Sequence, residues 1–293
     1  MEAFDLKAKH AMIFTFIFIP LCVAVRILQY AFVIDADGYF RPASGMHTAL
    51  IYILYVLMAL TAVFALVIML AGRSRRIDAG VFKNNASGIL FLTAGIVTMA
   101  DFGICAGKML RTMSLDIAAV LEVFAALYFI SLGCIILSGS KTGGAARILG
   151  LFAPLYAVSL AAGTFLDSYE KVHISQTKFT LLTICMLALF VMEVALAFAG
   201  NKITEKRFAA VCVLYSVIAS TSSISSLYAL ASGKATADMP VQLILRSVLQ
   251  LIFAVLSLIA LAHTGRYTAP EPKVDDAPPS SDMSDIDDFI DNL

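Results

Sequence analysis

Apolar residues run along this chain in long blocks separated by short polar links, without the alternation of apolar and polar faces expected of helices around a water-soluble core. Eight blocks can be drawn, at roughly 11–34, 48–71, 87–107, 115–138, 146–166, 179–200, 208–231 and 241–262, with ends uncertain by several residues. Each is about the 20 residues that a helix needs to cross a ~30 Å hydrocarbon layer at ~1.5 Å per residue. The pattern predicts an all-α polytopic membrane protein with eight transmembrane helices in contact with the lipid bilayer. The links are too short to hold an inserted soluble domain. The first block follows Lys7 and Lys9, but it is too long for the apolar core of a signal peptide and lacks a small-residue cleavage site. It is expected to be retained.

The blocks also suggest a duplication. The first contains "FIPLCVAV" from Phe18 and the fifth "FAPLYAVS" from Phe152, each with a proline about nine residues in, where a kink is expected. The second block ends "LAGR" and the sixth "FAGN". The expected division is a first four-helix unit at 1–141, a second at 142–266 and an acidic tail at 267–293. Four spans per unit is an even number, so the two would be parallel repeats related by an axis along the membrane normal. Any two Leu/Ala/Phe-rich helices align passably, and this is the competing explanation. Gly103 and Gly107 form a GxxxG, expected to serve close helix packing.

Charge gives an orientation. In the eight-span scheme one side holds thirteen Lys and Arg residues, among them the "GRSRR" cluster at 72–76, and the other only six. Basic loops stay cytoplasmic, so both termini are expected inside. A bacterial inner membrane is the default setting for so compact a multi-pass protein. Formal net charge is zero, yet the stretch from Glu271 onward has eight acids and one lysine, a net of −7 against +7 for the rest. The five cysteines (Cys22, Cys105, Cys134, Cys185, Cys212) all fall in apolar blocks, without CxxC pairs, and are expected to pack as small apolar groups. With no Trp, Tyr30, Tyr52, Tyr128, Tyr169 and Tyr228 are the candidates for an interfacial belt.

Against this background the charges inside the blocks stand out. Arg26, Asp101, Glu122 and Arg246 each lie five to eight residues from the outer end of a span. All four therefore sit roughly 8 to 12 Å below the outer face. An arginine at that depth can snorkel to the interface, whereas a carboxyl has less reach and needs a proton or a partner. Two cations and two anions at one depth suggest a shared polar centre; a structural ion pair with no traffic through it is the alternative. Gln242 and Gln250 extend the polar side of the last span one turn either way from Arg246. In the seventh span Ser216, Ser220 and Ser223 share a helical stripe, expected to give tight packing and interhelical hydrogen bonds before a solute-facing wall. Glu193 stands alone in the sixth span, with no evident partner.

Much known chemistry is missing. There is no HExxH, GxSxG or phosphate-binding GxxxxGK. Four histidines without ligand spacing give no metal site; His47 and His173 in the outer loops are the only pair worth naming. Outer loop 1, "IDADGYFRPASG", reads as a solvated turn, not a calcium loop. No cofactor and no nucleic acid are suggested. An intramembrane enzyme has acids at hand but no recognisable nucleophile or orienting partner, and ranks last.

The tail begins with a linker marked by Pro270, Pro272, Pro278 and Pro279. Met283, Ile286, Ile290 and Leu293 then recur at helical spacing with Phe289 beside them. So short a segment gains a helix only by docking, on a cytoplasmic protein or on this protein's own basic inner face; a merely solubilising tail is the alternative. Two functions follow as expectations. One is a small-solute permease or solute-binding membrane protein whose outer-half site uses Arg26, Asp101, Glu122, Arg246 and Gln250 for a small polar or anionic solute. The other is a membrane scaffold or sensor acting through its tail, with Met283, Ile286, Phe289, Ile290 and Leu293 as the partner-binding residues.

Overall fold

The computed structural model describes residues 8–34, 45–72, 75–113, 116–167, 175–201, 203–233 and 240–264. Among them are nine α-helices: α1 (Ala8–Phe32), α2 (Gly45–Ala71), α3 (Asn85–Thr112), α4 (Ile117–Ser138), α5 (Gly144–Leu149), α6 (Phe152–Asp167), α7 (Ser175–Phe198), α8 (Glu205–Ala231) and α9 (Pro240–Thr264). With α5 and α6 taken as one interrupted span, eight helical segments are long and apolar enough to cross a membrane. This is consistent with a multi-pass α-helical membrane protein. Large apolar side chains such as Tyr52, Val56, Leu60, Val63, Leu66 and Leu70 of α2 point outward, as a lipid-facing surface requires.

The interruption in the fifth span corrects the expected kink. The break falls at Gly150 and Leu151, and Pro154 comes after it as the third residue of α6. There the missing N–H removes nothing, because the first turn has no carbonyl to bond to. Pro20, by contrast, lies inside α1.

Helix α8 is the post around which the others stand. It packs against α1, α2, α7 and α9, and 83% of its most apolar stretch is buried. The α1/α2 hairpin leans on α8, while α3 and α4 pair closely with each other and pack on α9 and α6 respectively. The close α3/α4 approach depends on Gly95 and Gly133: a Cβ at Gly95 would lie 2.8 Å from the Ile130 backbone nitrogen, and one at Gly133 would lie 2.7 Å from that of Leu92. Gly103 and Gly107 have open space where a Cβ would stand, so the GxxxG faces no helix. The spacing was present, but spacing alone does not say which face of a helix is covered.

At the end of the bundle where α1 begins and α9 stops, the connections are themselves folded. Arg76–Ile77 (β1) pairs antiparallel with Ile203–Thr204 (β2), with Arg76 opposite Thr204 and Ile77 opposite Ile203. A 3-10 turn at Ala79–Phe82 follows, started by the Asp78 carboxylate, which accepts from the Gly80 N–H at 2.7 Å. The turn drives Phe82 back into the bundle against Phe91, Phe198 and Phe208. Asn84 then caps α3 by accepting from the Ser87 N–H. Two of the tyrosines expected at an interface, Tyr30 and Tyr128, are buried in the core, whereas Tyr52 is exposed; Tyr169 lies outside the described residues. Cys22 and Cys212 are buried as expected, while Cys134 and Cys185 are on the outer surface of the bundle and pack against nothing internal.

Candidate functional site

The site is built from one face of α3. Asp101, Cys105 and Lys108 follow at i, i+4 and i+7, so their side chains stack along a single stripe. That stripe faces α9, where Gln242, Arg246 and Gln250 form a matching one at i, i+4 and i+8. Two rungs join them. The Arg246 Nε donates to Asp101 Oδ2 at 2.9 Å, and the Gln242 Nε2 donates to Cys105 Sγ at 3.2 Å. The Asp101 side chain is buried, and that of Arg246 is one-third exposed. The cation thus has one flank on a buried carboxylate and another toward open space.

Helices α4 and α6 complete the cluster. Glu122 is buried and accepts from the Tyr156 hydroxyl at 3.0 Å. It also lies close enough to Asp101 and Arg246 for their charges to act on it. The second Asp101 oxygen has no N–H or O–H donor among the described residues. A contact between two carboxyls becomes a hydrogen bond only when one of them carries a proton. Asp101, Glu122 and Arg246 from three different helices therefore meet at one place, as the equal depths predicted.

Arg26 does not join them. Its guanidinium, almost fully buried, lies over the rings of Tyr30 at 4.9 Å and Phe179 at 4.4 Å and donates through Nη1 to Gln29 Oε1 at 2.7 Å. Gln29 in turn donates through Nε2 to the Leu50 carbonyl at 2.9 Å, tying α1 to α2. Depth along a span says nothing about rotation around the helix axis, and α1 turns Arg26 toward α2 and α7.

Beside Arg246 opens a cavity of about 330 Å³. Arg246, Gln242, Ser247 and Gln250 of α9 form one wall, Ser222 and Ser226 of α8 another, and Lys108, Thr164 and Thr180 contribute from α3, α6 and α7. Among the described residues, two cations and no carboxylate line it. Gln250 is oriented by Ser223, whose hydroxyl donates to Gln250 Oε1 at 2.8 Å, while the Tyr215 hydroxyl donates to the Gln250 carbonyl at 3.2 Å. The expected packing role suits Ser223, and Ser216, which bonds within its own helix to the Val213 carbonyl. The cavity is lined by the neighbouring pair Ser222 and Ser226, one turn apart.

Lys108, Ser222, Ser226 and Tyr156 were missed as site residues. Lys108 falls just past the third apolar block, which ends at 107, and because α3 extends to Thr112 it shares a helix face with Asp101 at i+7. For the same reason Glu193 seemed alone. Helix α8 begins at Glu205, so Arg207 is in its first turn, where it forms an ion pair with Glu193 of α7. No group of three or more His, Cys, Asp or Glu among the described residues is arranged to hold a metal ion. Outer loop 1, the His47 side chain, His173 and all five tail residues (Met283, Ile286, Phe289, Ile290, Leu293) lie outside the described residues. No family model, curated protein or solved structure matches this chain.

Proposed function

We propose that this chain is a small-solute permease or solute-binding protein of a cell membrane, and that its solute is a small anion carrying a carboxylate or phosphate. The observation that carries the reading is the cavity wall: Arg246 and Lys108 face it, serine, threonine and glutamine side chains surround them, and no carboxylate lines it among the described residues. About 330 Å³ falls at the small end of ligand sites, which suits a metabolite of few heavy atoms. Asp101 holds Arg246 from behind, fixing the guanidinium while leaving N–H groups for a ligand.

The two carboxyls give the site a second property. One cation against two carboxyls is neutral when the pair holds a single proton, and a neutral cluster is the cheap state inside a membrane. An arriving anion would draw on Arg246 and so change how tightly that proton is held. The groups that bear on Glu122 are Asp101, Tyr156, Arg246 and Cys105. Coupling of solute to proton follows from this arrangement. The cavity lies at the end away from the folded connections, the end expected to face outward.

The test is solute binding by the full chain in detergent, with a panel of small mono- and dicarboxylates and phosphates. R246Q and K108Q are each expected to weaken binding of the best ligand about tenfold or more, the worth of a lost hydrogen bond to a charged group. E122Q is expected to remove the pH dependence of binding while retaining binding itself. Unchanged affinity in both cation variants would defeat the reading. The alternative, a scaffold or sensor acting through the tail, rests on residues outside the described part.

A further inference from the structure

A second, larger cavity lies at the opposite end of the bundle, and the reading of the first does not use it. It measures about 630 Å³ and is framed by the turn around Asp78 and Ala79, the start of α3, the end of α4, and the link into α5. Its floor is apolar: Ile135 and Ile136 of α4 with Ala197 and Phe198 of α7. Its rim is cationic, with Lys83, Lys141 and Arg147 all exposed. Asp78 is the one carboxylate among the lining residues, and its Oδ1 already takes the Gly80 N–H. The left-handed glycine Gly139 ends α4 at the cavity, its N–H bonded to the Ile136 carbonyl, and so turns the chain to bring Lys141 onto the rim. An apolar floor inside a ring of cations fits a segment that is apolar on one side and acidic on the other.

The chain has such a segment. We propose that residues 280–293 dock in this cavity, with Ile286, Phe289 and Ile290 toward the floor and Asp282, Asp285, Asp287, Asp288 and Asp291 toward Lys83, Lys141 and Arg147. Three arguments select this occupant. The charges are complementary, −7 from Glu271 onward against the cationic rim. The attachment point is close: α9, which stops at Thr264, packs against the same 3-10 turn that borders the cavity. The tether has the right length, since about 20 residues between Thr264 and Ser284 span on the order of 25 Å as a flexible chain and hold the segment at about millimolar effective concentration. At that concentration even a weak contact is occupied.

The proposal is independent of any solute at the other cavity, so its test uses no flux or solute binding. The purified full chain is treated with a zero-length carbodiimide, which joins an amine to a carboxylate in direct contact, and the products are mapped by mass spectrometry. Links from Lys83 or Lys141 to acids between Asp282 and Asp291 within one chain are expected. Raising the salt from 0.1 to 1 M shortens the screening length from ~10 to ~3 Å and should reduce their yield. F289S and I290S, which leave every charge in place, are expected to lower the yield about tenfold; an unchanged yield would mean loose charge attraction, not docking, and would overturn the proposal. Links found only between two chains, or from the tail only to lysines away from the rim, would overturn it equally. Because each change lies in the tail sequence and none within a helix of the bundle, a misfolded membrane part is not expected to confound the result, and unaltered thermal unfolding of F289S verifies this.

Discussion

Arg26 and Arg246 are the same residue type at the same expected depth, and the fold treats them in opposite ways. Arg26 is enclosed by Tyr30, Phe179 and Gln29, a setting of aromatic faces and one amide. Arg246 is held by Asp101, with Glu122 and Tyr156 behind, and looks into a polar cavity. A cation away from water can be held by ring quadrupoles or by a formal counter-charge. The aromatic enclosure fastens α1 to its neighbours. The carboxylate arrangement leaves one side of the Arg246 guanidinium toward a cavity, which is why the proposed solute site lies there and not at Arg26.

The sharpest way to break the comparison is to remove the counter-charge. Asp101→Leu leaves Arg246 beside a buried carboxyl it cannot pair with in the same way, and a loss of about 3 to 5 kcal/mol is expected in thermal or denaturant unfolding in detergent. Asp101→Leu combined with Arg246→Leu should recover most of that loss, because two apolar groups replace a matched pair. Failure of the double variant to recover would mean that Asp101 has a role beyond holding Arg246. Next in size is Arg26→Met. It removes two ring contacts and the Gln29 bond, so a loss of about 1 to 2 kcal/mol is expected, with solute binding unchanged. Lost binding in that variant would erase the distinction between the two arginines. The smallest stability effect belongs to Tyr156→Phe: about 0.6 kcal/mol, the usual worth of one hydrogen bond between membrane helices, with a shifted pH dependence of solute binding as its more telling readout.

How much of this was legible follows from what a hydrophobic pattern encodes. Block length reports bilayer thickness directly, so the eight spans and their approximate ends could be read. Counting residues from the block ends grouped Arg26, Asp101, Glu122 and Arg246; the last three come together, and Arg26 does not. Azimuth was not legible. A helix buried on one face and lipid-bathed on the other is apolar all round, so the pattern hides which way Arg26, Gly103 and Gly107 point. Helix ends mattered for the same reason: extending α3 to Thr112 and starting α8 at Glu205 turned Lys108 and Arg207 from loop charges into helix-face charges. Two of the five tyrosines expected at the interface, Tyr30 and Tyr128, serve the core instead, because their large rings fill it, while Tyr52 is exposed.

The central position of α8 carries a consequence for how the molecule is put together. It is the seventh of the eight spans described, yet the α1/α2 hairpin, far from it in sequence, packs chiefly on it. Its stretch is the least hydrophobic of the eight, with Ser216, Ser220, Ser222, Ser223, Ser225 and Ser226 all buried against other helices. The faces that α1 and α2 turn toward α8 are therefore covered only when this distant, serine-rich helix is in place, so a substitution that keeps α8 from seating would leave both hairpin helices without their main neighbour.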